Sequence, residues 1–195
     1  MQDCKTKSTV VFLCGLAKNE FSLLCDELQQ SRNLIGLPAL IPICLLELKA
    51  EVVDESLQTC HGEIHQVKVN TGMARKSSHA SRVSDYEQFD FAAIGRMLTG
   101  ITATLATCEL ACETHLMLLE HLDRENRRFM SSVLEEQRAA VAKAMNTLEK
   151  RRSFLQCRMQ YVGPRTKYLS QRSQAYVQTV RGTGIYAYTK DLSLH

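Results

Sequence analysis

Apolar residues recur along most of this chain at alternating three- and four-residue intervals, the spacing that places them along one edge of a helix. The longest series lies in the second half and runs through Leu148, Arg152, Leu155, Met159, Val162, Thr166, Leu169, Ser173, Tyr176 and Val180. It predicts one long helix that begins near Phe129. Gly163 and Pro164 lie inside the series without changing its register, so we expect a kink or a brief interruption there.

Two further series of this kind precede the longest one and predict two more long helices. The first begins at Pro42, where a proline fits the first turn of a helix, and is expected to end near Val69. Its core candidates are Leu46, Ala50, Val53, Leu57, Cys60, Ile64 and Val67. The second follows Ser84 and Glu87, which have the spacing of a capping box. Its core candidates are Ile94, Leu98, Ile101, Leu105, Cys108, Cys112, His115, Leu119 and Leu122.

Breaks in the pattern predict where these helices are connected. Residues Thr71 to Ser84 are polar and contain Gly72, which indicates a connection between the first and second long helices. The charged cluster Asp123 to Arg128 interrupts the apolar series, and we expect the second long helix to reverse there into the third. After Val180 the pattern is lost, which predicts a loosely held tail.

The N-terminal part of the chain carries shorter signals. Residues Ser8 to Leu13 are rich in β-branched side chains and predict a short strand without an evident partner. Residues Glu20 to Asn33 have helical spacing and are followed by Gly36 and Pro38. This segment therefore predicts a short helix that ends in a turn.

These elements together predict an all-α protein, an elongated antiparallel bundle of three long helices in up-down-up order with a short N-terminal helix. We expect an N-terminal segment at residues 1–36, a helical bundle domain at residues 37–180 and a loose C-terminal tail at residues 181–195. A length of 195 residues, with 45% apolar and 23% charged residues, suits one folded domain rather than a disordered chain.

Charge is distributed unevenly along the chain, although the net charge is only +3. The part up to Leu122 carries ten Lys and Arg against fifteen Asp and Glu, whereas the part from Asp123 onward carries fourteen against six. Oppositely charged halves suit helices that pack on one another, and the basic surplus suits an acidic partner.

The cysteines and the longest apolar run bear on the cellular compartment. None of the eight cysteines forms a CxxC pair, and most lie at apolar positions of helical patterns, which favours reduced, buried thiols. The longest uninterrupted apolar run, Leu37 to Leu46, has about half of the roughly 20 residues that a bilayer span requires. We therefore predict a cytoplasmic protein with no membrane span in this chain, although a longer relative could be membrane-attached.

One group of possible metal ligands lies on the second long helix. Cys108, Cys112 and His115 share one helix face, which is geometry that a metal can use. A turn near Glu125 would place Cys157 opposite Ala93, too far away to supply a fourth ligand. We therefore interpret the two cysteines as small core residues and the histidine as a polar core residue, and predict no metal and no cofactor.

No catalytic constellation is recognisable in the chain. His61, His65 and His79 together with Cys60 are candidate ligands or a candidate nucleophile pair. Cys60 lies in the apolar series, with His61 beside it. A catalytic cysteine needs a partly exposed, electropositive setting, so burial is the better explanation for Cys60. Phosphate-binding glycine loops, G-x-S-x-G and H-E-x-x-H motifs are absent from the sequence. We predict that the protein is not an enzyme and has no catalytic residues.

Arginines repeat every seven residues beside the longest apolar series and form the most distinctive constellation of the sequence. The arginine stripe consists of Arg151, Arg158, Arg165 and Arg172. If the first and third long helices are parallel, heptad counting brings the stripe to the flank that carries Glu47 and Asp54, which predicts ion pairs within the bundle. The alternative is an outward-facing stripe that meets an acidic protein, nucleic acid or anionic lipid. Few interleaved aromatic residues and the modest net charge argue against nucleic acid as a partner.

Two stretches resemble fungal CorA-like proteins, a group with a helical soluble region related to the cytosolic part of divalent-cation channels. They are PALIPICLLEL at Pro38 to Leu48 and the Arg- and Leu-rich segment at residues 151–180. The Thr-Gly pair at Thr71 and the Tyr-Leu pair at Tyr168 also match that group. The resemblance covers residues 35–180 in outline and implies a helical protein related to magnesium transport.

The chain departs from the CorA-like pattern in two respects. The Gly-Met-Asn pore signature of true members is absent, since Gly72 and Met73 are followed by Ala74 in a polar stretch. The membrane helices of the family are also missing. The resemblance therefore does not imply channel activity, and no functional residue is carried over from the family.

The sequence thus predicts a non-catalytic helical scaffold or regulatory interaction domain that associates with itself or with a helical protein partner. Arg138 and Arg152 motivate the association, because both fall on core positions of the third helix and weaken a purely internal core there. The alternative is a soluble relative or fragment of a CorA-like divalent-cation (magnesium) transporter.

Overall fold

The computed structural model describes residues 2–3, 8–9, 11, 13, 15–71 and 90–192 of the chain. Helices dominate the described part: α1 (Lys18–Gln30), α2 (Leu40–Asn70), α3 (Phe91–Ser132) and α4 (Glu135–Leu192). A short 3₁₀ helix, Arg32–Leu34, follows α1. The long helices pack on one another, and the predicted all-α bundle of three long helices with a short N-terminal helix is confirmed.

The N-terminal segment contains two strands of two residues each. Strand β1 (Gln2–Asp3) pairs antiparallel with β2 (Ser8–Thr9). The strand predicted from Ser8 onward is therefore shorter than expected, and it has a partner. Helix α1 begins at Lys18, where the preceding Ala17 N–H donates to the Glu20 carboxylate across 2.9 Å.

The apolar residues of the predicted series lie on the buried face of each helix, as expected from their spacing. All seven core candidates of α2 are buried, and so are Leu98, Ile101, Leu105, Cys108, Cys112, His115 and Leu119 of α3. In α4, burial extends over Leu148, Leu155, Met159, Val162, Thr166, Leu169, Ser173 and Val180. Ile94 and Leu122 are half-buried. The periodic pattern therefore identified the buried edge of each long helix.

The predicted turn at Asp123 to Arg128 is wrong, because α3 continues through this cluster to Ser132. Charged residues at three- and four-residue spacing stabilise a helix rather than interrupt it. Arg127 pairs with Asp123 and Arg128 pairs with Glu125, each across 2.6 Å. The connection to α4 consists of Val133 and Leu134, so α4 begins at Glu135 and not near Phe129.

Helix α4 is longer than predicted in the C-terminal direction and is not interrupted at Pro164. A proline inside a helix removes one backbone hydrogen bond, and residues on both sides of Pro164 are nevertheless helical. The residues that we expected to form a loose tail continue α4 to Leu192. Residues 193–195 lie outside the described part of the chain.

The structure describes the start of α3 from Asp90 onward. Ser84 and Glu87 lie outside the described residues, as does nearly all of the predicted connection from Thr71 to Ser84. The described part of the helix begins at Phe91. The Ala93 N–H donates to Oδ1 of Asp90 across 2.8 Å, which satisfies one of the free donors at the helix N-terminus.

The chain divides into two compact units, each built from two segments that are distant in sequence. The first unit comprises Met1–Val52 and Thr114–Met159. The second unit comprises Val53–Glu113 and Gln160–His195. The predicted bundle domain at residues 37–180 contributes to both units.

Contacts within the second unit show how α3 and α4 are matched there. The hydroxyl groups of Thr102 and Ser173 lie 3.0 Å apart, and the Ser173 hydroxyl also donates to the Leu98 carbonyl across 3.2 Å. Farther along, Gly163 faces Cys112, and a Cβ added to the glycine would lie 3.9 Å from the Cys112 Cβ. Residue numbers rise on α4 as they fall on α3, so the two helices are antiparallel in this unit.

Candidate functional site

The arginine stripe is divided between the two units and its members differ in surroundings. Arg151 and Arg158 belong to the first unit with Glu47, whereas Arg165 and Arg172 belong to the second unit with Asp54. Arg165 is exposed. Arg172 is half-buried, and its Nε donates to the Tyr176 hydroxyl across 3.2 Å. The stripe is therefore not one uniform functional surface.

Arg151 is the centre of a polar cluster that joins three helices of the first unit. Its Nε donates to Oε1 of Glu47 on α2 across 2.9 Å, and its Nη2 contacts the other oxygen of the same carboxylate. Nη2 also donates to Oε1 of Glu27 on α1 across 2.8 Å, and Nη1 donates to the Ser31 hydroxyl across 2.9 Å. Hydrogen bonding to Glu47 raises the pKa of Arg151 above its ordinary value. The cluster holds α1, α2 and α4 in fixed relation within this unit.

Two partners of Arg151, Glu27 and Ser31, were missed by the sequence argument. Heptad counting compared the three long helices only, and α1 is too short to give a register of its own. Glu27 lies in the last turn of α1 and Ser31 lies just after the helix. The Ser31 hydroxyl donates a hydrogen bond to the Glu27 carboxylate across 3.2 Å. An acidic residue followed four positions later by serine at a helix end is too common to have indicated this role from sequence.

The Arg151 cluster contains a set of side chains with metal-ligating atoms. One ligand atom from each of Glu27, Cys44 and Glu47 lies within 4.8 Å of the others. The guanidinium of Arg151 already supplies the positive charge at this place, with Nη2 3.5 Å from the Cys44 sulfur. Burial raises the pKa of the Cys44 thiol, which disfavours the thiolate that a metal needs. We therefore infer that Arg151, and not a metal ion, balances the charges of Glu27 and Glu47.

A groove lies beside the cluster in the first unit and has a volume of about 440 Å³. The walls of this acidic groove include Leu23, Asp26, Glu47, Glu51, Phe154 and Arg158. Leu23 is 51% exposed and Phe154 is 67% exposed, although their chain neighbours Leu24 and Leu155 are fully buried. Asp26 and Glu51 are also exposed. The groove thus combines exposed apolar side chains with exposed carboxylates.

A second repeat accompanies the arginines along α4 and was not recognised in the sequence. Phe154, Tyr161 and Tyr168 recur every seven residues, each three positions after an arginine of the stripe. Tyr161 is 71% exposed and Tyr168 is 58% exposed. The seven-residue spacing of the aromatic residues was the available signal, and their exposure shows that they do not belong to the core.

Two of the cysteines considered as metal ligands, Cys108 and Cys112, have thiols whose pKa is raised by burial. Cys108 and Cys112 are buried in the second unit, and burial raises the pKa of Cys112 to about 11 and that of Cys108 above its usual range. His115, in the first unit, is also buried. Cys157 is exposed on α4, and the position opposite Ala93 expected for it is wrong, because it rested on a turn near Glu125.

Cys60 and the histidines considered with it as a nucleophile pair differ in solvent exposure. Cys60 is buried, and burial raises the pKa of its thiol above the usual value. His61 and His65 are exposed on α2, whereas His79 lies outside the described residues. A buried thiol with a raised pKa is a poor nucleophile at neutral pH.

The two arginines on core positions of α4 have local partners. The Arg152 side chain is 13% exposed, pairs with Glu149 and lies 3.8 Å from Asp123 of α3. Arg138 is exposed and pairs with Glu135 across 2.8 Å. Arg152 therefore does not weaken the core of the first unit in the way that we expected, and it no longer motivates association with a partner.

Helix α3 has an apolar composition that bears on the membrane prediction. An 18-residue window of this helix has a mean hydropathy of 1.3, and 22% of the window is buried. By length and composition alone, α3 could cross a membrane, although core helices of soluble proteins meet the same criterion. The sequence prediction of no membrane span rested on the apolar run Leu37 to Leu46. The apolar residues of α3, such as Leu110 and Met117, are interspersed with polar residues and do not form a continuous run.

Comparison of the chain with models of known protein families, with curated proteins and with solved structures finds no match.

Proposed function

We propose that this chain is a non-catalytic helical interaction domain and that the acidic groove of the first unit is a surface through which it binds a protein partner. The observation that carries the proposal is the exposure of Phe154 beside the fully buried Leu155. The core position of this turn of α4 is already filled, so Phe154 adds no burial to the core. Large apolar side chains grouped at a groove are typical of interaction surfaces.

The Arg151 cluster supports the proposal because it fixes the walls of the groove before a partner arrives. Arg151 joins α4 to Glu27 of α1 and Glu47 of α2, and Lys49 of α2 pairs with Glu20 of α1 across 2.5 Å. Preformed walls lower the entropic cost of binding. A scaffold of this kind keeps the exposed apolar residues in one arrangement.

The state of the buried thiols supports the non-catalytic part of the proposal. Burial raises the pKa of Cys44, Cys60 and Cys108, so little thiolate is present at neutral pH. The groove itself offers carboxylates and apolar side chains, which suit recognition of a surface.

Site-specific photocrosslinking tests whether the groove is an interaction surface. A photoreactive phenylalanine analogue at position 154 of the full chain is expected to crosslink to a partner, which mass spectrometry then identifies. The matched control places the same analogue at Leu134, which is 68% exposed in the connection before α4. Equal crosslinking at both positions, or none at position 154, would contradict the proposal.

A second candidate function, a soluble relative or fragment of a CorA-like divalent-cation transporter, is favoured by the apolar window of α3. A helix with 22% of such a window buried has apolar surface available for lipid or for a membrane-bound partner. Calorimetric titration with magnesium, combined with flotation on lipid vesicles, tests this candidate. Absence of binding heat, of a magnesium-dependent thermal shift and of vesicle binding would count against it.

A further inference from the structure

The second unit carries an exposed face of α4 in which aromatic residues flank an arginine. Tyr161, Arg165 and Tyr168 lie at positions i, i+4 and i+7, which share one side of a helix. All three side chains are exposed, the two tyrosines by 71% and 58%. We call these residues the Tyr-Arg face. It offers one cation and two amphipathic rings to a partner.

The acidic groove of the first unit has the complementary chemistry. Asp26 of α1 and Glu51 of α2 are exposed carboxylates that line it, and Leu23 and Phe154 are its exposed apolar residues. The half-buried Arg158 also lines the groove, where the carboxylates of Glu27 and Glu47 keep the balance of charge acidic. A guanidinium pairs well with carboxylates, and tyrosine rings pack favourably against phenylalanine and leucine. The groove has a volume of about 440 Å³.

We propose that the Tyr-Arg face of one copy of this chain docks in the acidic groove of a second copy. The proposal rests on the proposed function, since it names the partner of the same groove. Arg165 of one copy would lie between Asp26 and Glu51 of the other, and one tyrosine ring would cover Phe154. Each copy carries one groove and one face, so the contact joins two or more copies.

A second copy suits the Tyr-Arg face better than a nucleic acid does. The two tyrosines are separated by seven residues, a rise of about 10.5 Å along a helix, whereas successive stacked bases are about 3.4 Å apart. The net charge of +3 is small for phosphate binding. Carboxylates at the groove would repel phosphate and attract Arg165.

Charge reversal tests the pairing of the two surfaces. Sedimentation equilibrium on the full chain should show self-association, and Arg165→Glu should weaken it by about tenfold or more, because repulsion replaces attraction. The groove variant Asp26→Lys with Glu51→Lys should have a similar effect. All three changes in one chain should restore the association to within about threefold of the unmodified chain, because the charges are exchanged between the surfaces.

Matched controls separate this pairing from a general effect of charge. Arg124→Glu changes an exposed arginine of α3, and Glu120→Lys with Glu136→Lys changes two exposed acidic residues outside the groove. These variants should associate like the unmodified chain. Tyr161→Ala with Tyr168→Ala should weaken association, and circular dichroism should show unchanged helix content in every variant.

Three results would overturn the proposal. The first is a chain that remains monomeric throughout the micromolar range. The second is a triple variant that associates no better than either charge reversal alone. The third is binding of a single-stranded oligonucleotide that depends on Arg165 while the chain stays monomeric. If position 154 still crosslinks to a different protein in any of these cases, the proposed function stands and only the second copy is wrong.

Discussion

The guanidinium Nε of Arg151 lies 2.9 Å from Oε1 of Glu47, which links α4 to α2 in the first unit. Heptad counting had brought these two residues to facing flanks. The structure adds Glu27 of α1, and Ser31 just after α1, as partners of the same guanidinium. The Arg151 side chain is only 20% exposed, so water screens these contacts weakly. The Arg151 guanidinium therefore connects helices of the first unit instead of facing solvent.

Replacing Arg151 should destabilise the protein more than replacing an exposed arginine. Arg151→Ala leaves the carboxylates of Glu27 and Glu47 facing each other without a cation, and we expect a loss of about 2–4 kcal/mol in unfolding free energy. Arg151→Lys should recover part of the loss, because it keeps the charge without the forked geometry. Urea denaturation at neutral pH measures both values.

Arg127→Ala is the control for the Arg151 variants. The Arg127 side chain is 78% exposed and forms a pair within one helix, so its loss should cost no more than about 0.5 kcal/mol. Equal losses for Arg151→Ala and Arg127→Ala would show that the cluster contributes no more than a surface pair.

Asn126 should be replaceable by an apolar residue with a gain in stability. The residue is 5% exposed in α3, and within the described part of the chain neither Oδ1 nor Nδ2 of its amide has a hydrogen-bond partner. A buried amide without partners costs free energy, so Asn126→Leu should raise the unfolding free energy by about 1–2 kcal/mol. A destabilised Asn126→Leu variant in urea denaturation would show that the amide is satisfied in solution.

Gly163 should tolerate alanine in α4. A Cβ at this position would lie 3.9 Å from the Cys112 Cβ, which is ordinary van der Waals contact. Alanine is favoured over glycine within a helix by about 1 kcal/mol, but the ring of Pro164 disfavours the helical conformation of a preceding residue that carries a Cβ. Gly163→Ala should therefore change the unfolding free energy by less than about 1 kcal/mol. Gly163→Leu is the contrasting variant, because its larger side chain must displace Cys112, and a thermal melt should show it below the unmodified chain.

Stability should fall at alkaline pH because of the buried thiol of Cys112. Burial raises its pKa in the folded state from 9.0 to about 11. The stabilisation is fully present below the unfolded pKa and is lost as pH rises through the folded pKa, here between about 9 and about 11. Two pKa units correspond to about 3 kcal/mol at most.

Comparison with Cys112→Val isolates this thiol from the other cysteines. Unfolding free energies from urea titrations in the presence of a reductant should fall more steeply for the unmodified chain than for the variant over this pH range. Parallel pH profiles for the two chains would contradict the assignment to Cys112.

The sequence was a good guide to the helices and a poor guide to their connections. The α3 helix was expected to end before Asp123 because charged residues interrupt the apolar series. Within this cluster, however, pairs such as Arg127 with Asp123 stabilise the helix locally. The register of α4 against α3 depends on the position of the turn, so the surroundings expected for Cys157 were wrong as well.

The candidate site was predictable in part. Glu47 and Arg151 follow from seven-residue counting, because long helices repeat their contacts regularly. Glu27 does not follow, because it lies on a short helix whose position depends on packing. The exposed residues Leu23 and Phe154 were also not predictable, since an apolar residue beside a core position can turn inward or outward.

The sequence alone determined that the protein is helical and which edge of each long helix is buried. Those features depend on the local periodicity of side chains, which the chain carries in every segment. Only the tertiary structure decided that Arg151 has partners on α1 and α2 and that Phe154 lines a groove. Such contacts join residues more than 100 positions apart, and their geometry depends on how all the helices pack together.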